Sequence, residues 1–177
     1  MNRAGRATPY SETNIYDQQY IDAAGVENAA GTIIRMVVHP FEEADMWPAT
    51  GRYMEIVDEY VDDAKIATLG VQSFSAWLLF ATAANDCAAD NDGVLTRACV
   101  LEAAADVQDW TGGGLHAPTD PGPNGGTPVG CEMMLVVDAE GKFERLSPQI
   151  DGDDDDIDGY TCFEDSWYRS PTTPASV

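Results

Sequence analysis

The sequence predicts a mixed α/β fold in which helices pack on a small sheet, and three observations lead to it. Segment 32–38, TIIRMVV, is a β-branched apolar run, which is typical of a buried strand. Apolar residues recur three and four positions apart in segments 53–64, 71–87 and 97–108, as on one face of a helix. Segments 131–137 and 142–146 flank an Asp-Ala-Glu-Gly turn and indicate a C-terminal β-hairpin.

The N-terminal elements are short. Tyr16, Tyr20 and Ala24 are spaced four apart before Gly25, which predicts a helix over 15–24. The dipeptide His39-Pro40 ends the strand that follows, because the residue before a proline is restricted in its backbone conformation.

Three longer helices are expected in the middle of the chain. Pro48 suits the first turn of a helix whose apolar positions include Tyr53 and Val57. The next helix, 71–87, is apolar at Phe74 and Trp77 and also at Phe80, so we expect it to be buried on two sides. Thr96 is a suitable N-cap for the third helix, 97–108. Its expected buried positions are Val100, Leu101, Ala104 and Val107.

Composition excludes several classes of partner. The 177 residues include 31 Asp plus Glu and 9 Lys plus Arg, a formal net charge of −22. Such a surface repels phosphate backbones and anionic lipids, so nucleic acid is not an expected partner. The sequence contains no apolar run of the roughly 20 residues that a membrane-spanning helix needs.

The four cysteines indicate two disulfides. No spacing among Cys87, Cys99, Cys131 and Cys162 is typical of a zinc site. The short loop between the second and third helices favours pairing Cys87 with Cys99, which leaves Cys131 for Cys162. Disulfides require an oxidising compartment, although segment 1–14 lacks the apolar stretch of a signal peptide. If this chain belongs to a longer exported protein, the disulfides and the missing signal peptide are compatible. Four buried thiols without disulfides are the alternative.

Catalytic and metal-binding signals are sparse. His39, His116 and seven serines form no recognised catalytic motif, and segment 111–115, TGGGL, fits no phosphate-binding pattern. The sequence therefore predicts no catalytic residue and no cofactor. Asp154, Asp156, Asp158 and Gly159 match the opening of a calcium loop whose twelfth position is Asp165. A run this rich in Asp matches that pattern by chance, so a solvated acidic loop is the preferred interpretation and no metal site is assigned.

Three segments together resemble the C-terminal part of a type I periplasmic binding protein, the solute receptor of ABC importers, of the branched-chain amino acid kind. They are segments 71–87, 95–115 and 131–148, with the sequences VQSFSAWLLFATAANDC, LTRACVLEAAADVQDWTGGGL and CEMMLVVDAEGKFERLSP. The hairpin carries Asp138, Gly141 and Phe143 in the D-x-x-G-x-F pattern of those proteins. The resemblance covers about residues 12–165.

The resemblance implies that residues 15–165 are the C-terminal portion of a two-lobed parent of about twice this length, with a partial type I binding-protein fold. Residues 1–14 would be a lead-in and residues 166–177 a polar tail. The parent would be extracytoplasmic and would pass an amino acid or similar small solute to the membrane subunits of an ABC importer.

The same resemblance points to segment 68–73 as a link that faces the ligand cleft. Gly70, Gln72 and Ser73 are the expected ligand-binding residues there, with helix capping as the alternative role of this link. The alternative function is that of a self-contained secreted acidic domain that binds calcium or is hydrolytic.

Overall fold

The computed structural model describes residues 10–11, 13–122, 130–150 and 159–163, and these residues form the expected mixed α/β fold. The strands are β1 (Tyr10–Ser11), β2 (Ile33–Met36), β3 (Cys131–Val137), β4 (Phe143–Ser147) and β5 (Thr161–Cys162). The α-helices are α1 (Gln18–Ala24), α2 (Val26–Ala29), α3 (Pro48–Tyr60), α4 (Thr68–Asp90) and α5 (Arg97–Asp106). Two 3-10 helices, Thr13–Ile15 and Phe41–Glu43, lie in the connections.

The sheet has the strand order β1-β2-β3-β4, and β5 pairs with the beginning of β3. Strands β1 and β2 are parallel, while β3 is antiparallel to each of its neighbours. Strands β3 and β4 form the predicted hairpin. The Asp138 carboxylate accepts hydrogen bonds from the N–H groups of Glu140 and Lys142, both at 2.8 Å, so a local contact stabilises the turn.

One face of the sheet forms the core. Burial alternates along β2 and β3, as expected for strands with one face packed and the other solvated. The core side chains that β2, β3 and the residue Val38 contribute are Ile34, Met36, Val38, Met133, Leu135 and Val137. Tyr16 and Ile21 cover them from the N-terminal segment, and Tyr53 and Val71 join the same cluster from α3 and α4.

Local signals place the starts of α3 and α5 where the sequence predicts them. Pro48 is the first residue of α3. Thr96 caps α5 by accepting from the Cys99 N–H at 3.2 Å. Both features are encoded within four residues of sequence, which is why the pattern alone identifies them. Helix α1 starts at Gln18, later than the expected residue 15, because Asp17 is its N-cap and accepts a hydrogen bond from the Gln19 N–H at 2.9 Å.

Helix α4 begins earlier than the sequence predicts. The expected link over 68–70 is already helical, and extended Ala67 is the N-cap. Gly70 lies in the first turn of α4, where this helix approaches α3: a Cβ at this position would lie 2.5 Å from the Tyr53 hydroxyl. The glycine thus serves close packing of the two helices.

The expected burial of α4 on two sides is wrong, and of the expected α5 stripe Val100, Ala104 and Val107 are only half-buried while Leu101 is exposed. Trp77 is 67% exposed and Phe80 is 51% exposed, and Leu101 on α5 is 58% exposed. The buried residues of α4 are Thr68, Val71, Ser75, Ala83 and Cys87. Helix α5 has none. The spacing of apolar residues identifies an apolar helix face. Whether that face is buried depends on whether another element packs on it, and no described element packs on these exposed side chains.

Both predicted disulfides are present. Cys87 near the end of α4 is bonded to Cys99 in α5, and Cys131 in β3 is bonded to Cys162 in β5. The first bond joins the two helices across their short loop. The second holds the β5 segment against the start of the hairpin, where Cys131 and Cys162 are also register partners. Two disulfides are consistent with an oxidising, extracellular type of environment.

Candidate functional site

The candidate site lies where the sheet meets the helices. Residues 37–47 lead from β2 to α3, and residues 107–130 lead from α5 back to β3. The two connections are joined side by side: His39 N–H donates to the Leu115 carbonyl at 3.1 Å, and Ala117 N–H donates to the Val37 carbonyl at 2.8 Å. Val38 and His116 form an antiparallel bridge between them. This arrangement brings the two histidines of the chain to one place.

A cavity of about 250 Å³, which we call the junction pocket, opens beside these connections. Its walls come from four separate parts of the chain. They are formed by His39, Trp47, Pro48, Ala49, Thr111, Gly113, Gly114, His116, Pro118 and Tyr160. Aromatic rings and prolines dominate the lining.

His39 is almost completely enclosed. Its side chain is 2% exposed, and its ring stacks on Trp47 at a centroid distance of 3.8 Å and lies 4.8 Å from Tyr160. Among the residues that the structure describes, its Nδ1 has no hydrogen-bond partner. Burial, followed by the nearby charge of Arg145, lowers the pKa of His39 to about 3, so the ring is neutral at pH 7.

An ion pair supports the pocket from behind. Arg145 donates to both carboxylate oxygens of Glu43, at 2.8 and 2.6 Å, and to the Gly159 carbonyl at 2.7 Å. Trp47 Nε1–H donates to the same carboxylate at 2.8 Å. Burial raises the pKa of Glu43, but hydrogen bonds from Arg145 and Trp47 outweigh it and leave the pKa below its usual value. The pair therefore fixes Trp47 and the backbone that precedes Tyr160.

A second network holds His116. Trp110 Nε1–H donates to the Ser75 hydroxyl at 2.9 Å, and Ser75 Oγ lies 2.7 Å from His116 Nε2. His116 Nδ1 lies 2.8 Å from the Ala117 carbonyl, which requires the proton on Nδ1 and makes Nε2 the acceptor for Ser75. Desolvation lowers the pKa of His116, in agreement with a neutral ring.

The Ser75–His116 contact has the atoms of a nucleophile–base pair but not the surroundings of an active one. Ser75 is buried, its oxygen already accepts from Trp110, and a backbone carbonyl stands where a triad has a carboxylate. The network joins α4 to the loop that carries Gly112, whose Cβ position would lie 2.7 Å from Ser75 Oγ. It clamps the loop that forms one wall of the pocket.

We expect Ser75→Ala to destabilise the protein by about 2 kcal/mol, because it leaves a Trp110 donor and a His116 acceptor without partners. Urea unfolding measures this loss. Ser73→Ala, two residues earlier and exposed, is the matched control and should change the free energy of unfolding by less than about 0.5 kcal/mol. Equal effects of the two substitutions would contradict the clamp.

The depressed pKa of His39 predicts acid sensitivity. The unfolded chain has a histidine pKa near 6.5 and binds the proton first, so stability is lost as the pH falls from about 6.5 towards 3, by up to about 1.4 kcal/mol per pH unit. His116, with a pKa shifted the same way, adds to this slope. Urea unfolding at pH 7.0 and 5.5 should show that His39→Asn loses about 1 kcal/mol less than the wild type between these pH values. An unchanged pH dependence would rule out His39 as a cause.

The residues expected to bind ligand lie elsewhere. Gly70, Gln72 and Ser73 occupy the first turns of α4, with Gln72 and Ser73 exposed. A separate cavity of about 260 Å³ includes Gly70 in its lining, together with Asp17 and Lys65, but not the other two. The structure therefore does not bring the three residues to one pocket, and their binding role stays a prediction.

The acidic calcium motif falls largely outside the described residues. Asp154, Asp156, Asp158 and Asp165 are not in the described ranges, whereas Gly159 is and packs against Trp47. Within those ranges, no cluster of three or more His, Cys, Asp or Glu could hold a metal ion. None of the described helices combines the length and apolar character needed to cross a bilayer.

No protein-family model, curated protein or solved structure matches this chain. The site must therefore be interpreted from its own geometry.

Proposed function

We propose that this chain is the C-terminal part of a two-lobed extracytoplasmic solute-binding protein, which passes an amino acid or a similar small solute to the membrane subunits of an ABC importer. The proposal rests on the resemblance of segments 71–87, 95–115 and 131–148 to receptors of that class. The large apolar side chains left exposed on α4, α5 and their loop are the structural observation that supports it best.

The sheet and the inserted helices would belong to one lobe of that parent, because Tyr53 of α3 and Val71 of α4 share the core with β2 and β3. Helices α3, α4 and α5 form one insertion between β2 and β3, and the two connecting segments are hydrogen-bonded through His39–Leu115 and Ala117–Val37.

The exposed apolar residues of α4, α5 and their loop favour a larger parent. They are Leu69, Trp77, Phe80, Val94, Leu95 and Leu101. Soluble proteins rarely leave so many large apolar side chains open on one pair of helices, unless another surface covers them. In the proposed parent, the remainder of the lobe that contains these helices would cover them.

The test compares the isolated chain with the intact protein purified from its source by an antibody against this chain. Calorimetry with leucine, valine and related amino acids should detect micromolar affinity in the intact protein and none in the isolated chain, because a cleft needs both walls. Micromolar binding by the isolated chain would contradict the division of the site between two lobes. Absence of binding to the intact protein would remove amino acids as the solute class.

A hydrolytic secreted domain is the second candidate, and the Ser75–His116 hydrogen bond is the observation that favours it. Hydrolysis of a p-nitrophenyl ester that disappears in Ser75→Ala but persists in Ser73→Ala would support it over the receptor. The buried and doubly bonded Ser75 makes us expect no such activity.

A further inference from the structure

We propose that the Cys131–Cys162 disulfide is a redox switch. Its reduction lets residues 159–163, which we call the strap, detach from the sheet and uncover His39. This goes beyond the proposed function, because the strap and the surface that it covers both belong to this chain and no transported solute is involved. The contacts of the strap, its attachment and the accessibility of its disulfide each support the switch.

The strap covers the wall of the junction pocket that contains His39. Tyr160 is 1% exposed, and its ring centroid lies 4.8 Å from that of His39, which is itself 2% exposed. Gly159 packs on the Trp47 ring, since a Cβ at this glycine would lie 3.0 Å from it. A molecule in solution therefore reaches the His39 ring only after the strap has moved.

The strand in the strap is short. Strand β5 has two residues, and its register partners in β3 are Cys131 for Cys162 and Glu132 for Thr161. Short segments of this kind open locally at a lower free energy than the core of a domain. The disulfide prevents that opening, because Cys162 cannot leave Cys131 while the S–S bond is intact.

The remaining contacts of the strap are of a kind that can break and form again. The Phe163 N–H donates to the Gly130 carbonyl at 2.8 Å, and Arg145 donates to the Gly159 carbonyl at 2.7 Å. Both bonds can be exchanged for bonds to water, so their net contribution is small compared with a covalent bond. After reduction, the packing of the Tyr160 ring is the main resistance to detachment, and the strap opens transiently.

A reductant reaches this disulfide more easily than the other one. Cys162 is exposed and Cys131 is half-buried, whereas Cys87 is 1% exposed and Cys99 is half-buried. Thiol–disulfide exchange requires a thiolate to approach one of the two sulfurs, so its rate depends on access. Exposed disulfides are for this reason the more labile ones. We therefore expect attack at Cys162.

The reaction is thiol–disulfide exchange with a dithiol. One thiolate of the dithiol bonds to Cys162 Sγ, the S–S bond of the protein breaks, and Cys131 leaves as a thiolate that takes up a proton. The second thiolate of the dithiol then attacks the mixed disulfide and releases Cys162. The protein gains two electrons and two protons, and the dithiol becomes a disulfide. Reoxidation reverses each step.

The first experiment determines which bond is reduced. The full 177-residue chain is treated with dithiothreitol without denaturant, its thiols are alkylated with iodoacetamide, and the labelled cysteines are identified by peptide mass spectrometry. We expect labelling of Cys131 and Cys162 to be at least about tenfold faster than labelling of Cys87 and Cys99, because of their difference in access. Equal or reversed rates would overturn the proposal.

The second experiment measures the opening with diethyl pyrocarbonate, which modifies accessible imidazoles. In the variant Cys131→Ser with Cys162→Ser, modification of His39 at pH 7 should be at least about tenfold faster than in the wild type, because the strap can now open locally. His116 should change by less than about threefold, since local opening leaves its hydrogen bonds to Ser75 and Ala117 in place. An unchanged His39 rate would overturn the switch. Equal increases at both histidines, or loss of a cooperative urea transition, would show global unfolding and also overturn it.

Two further variants separate the strap from the disulfide. Cys87→Ser with Cys99→Ser is the matched control and should leave the His39 rate unchanged. Tyr160→Ala removes the cover while both disulfides remain, and it should also accelerate the modification of His39. Protection of His39 in a folded Tyr160→Ala variant would contradict the role of the strap. None of these results bears on amino acid binding by the intact protein, so the two proposals fail separately.

Discussion

Removal of both disulfides is expected to unfold a large fraction of the protein near 37 °C. Chain-entropy estimates give about 4 kcal/mol for the Cys131–Cys162 bond and about 3 kcal/mol for Cys87–Cys99, because the first spans 31 residues and the second 12. Their sum is comparable with the whole stability of an ordinary domain. Urea unfolding with and without reductant measures the combined effect.

The two bonds can be separated by paired alanine substitutions. We expect a larger loss in the free energy of unfolding when Cys131 and Cys162 are both replaced by alanine than when Cys87 and Cys99 are. The first double variant opens the longer loop and releases β5. A larger loss from the Cys87–Cys99 variant would show that helix packing, rather than chain entropy, dominates. Free thiols in protein prepared under oxidising conditions would remove the main support for an extracytoplasmic parent.

Arg145→Met is expected to destabilise the protein by about 3–5 kcal/mol. Its side chain is 7% exposed and Glu43 is 16% exposed, so the substitution leaves a largely buried carboxylate without its cation. It also removes the hydrogen bond to the Gly159 carbonyl, which fixes the approach to Tyr160. Urea unfolding at pH 7 measures the change.

The double variant Glu43→Gln with Arg145→Met should recover much of that loss, because no unpaired charge then remains. Arg52→Ala is the matched control, because Arg52 pairs with Glu55 on the exposed side of α3. This substitution should lower the free energy of unfolding by less than about 1 kcal/mol. An Arg145→Met variant no less stable than Arg52→Ala would contradict the supporting role of the buried pair.

The sequence predicts those features of the fold that depend on neighbouring residues. The strand around Ile34, the hairpin at Asp138, the start of α3 at Pro48 and the cap at Thr96 each have a local physical cause. The disulfide pairing also follows locally, because the short loop brings Cys87 and Cys99 together and leaves one pairing for the other two.

The junction pocket could not be predicted in this way. Ser75 and His116 meet across 41 residues, and Arg145 and Glu43 across 102. Such contacts depend on how α4 and the hairpin pack, which no local pattern specifies. The expected burial of Trp77 and Leu101 was wrong for a related reason, since apolar spacing does not identify the surface that covers a helix. Two weak signals did exist: His39 closely follows a buried strand, and His116 lies just after a run of three glycines.

The receptor proposal is tested most directly by the size and location of the native protein. An antibody against this chain should detect, on a reducing immunoblot of fractionated source cells, an extracytoplasmic band of about twice the 19.1 kDa of this sequence. That mass is what a two-lobed parent requires. A native band near 19 kDa, or one confined to the cytosol, would contradict the proposal and favour a self-contained domain.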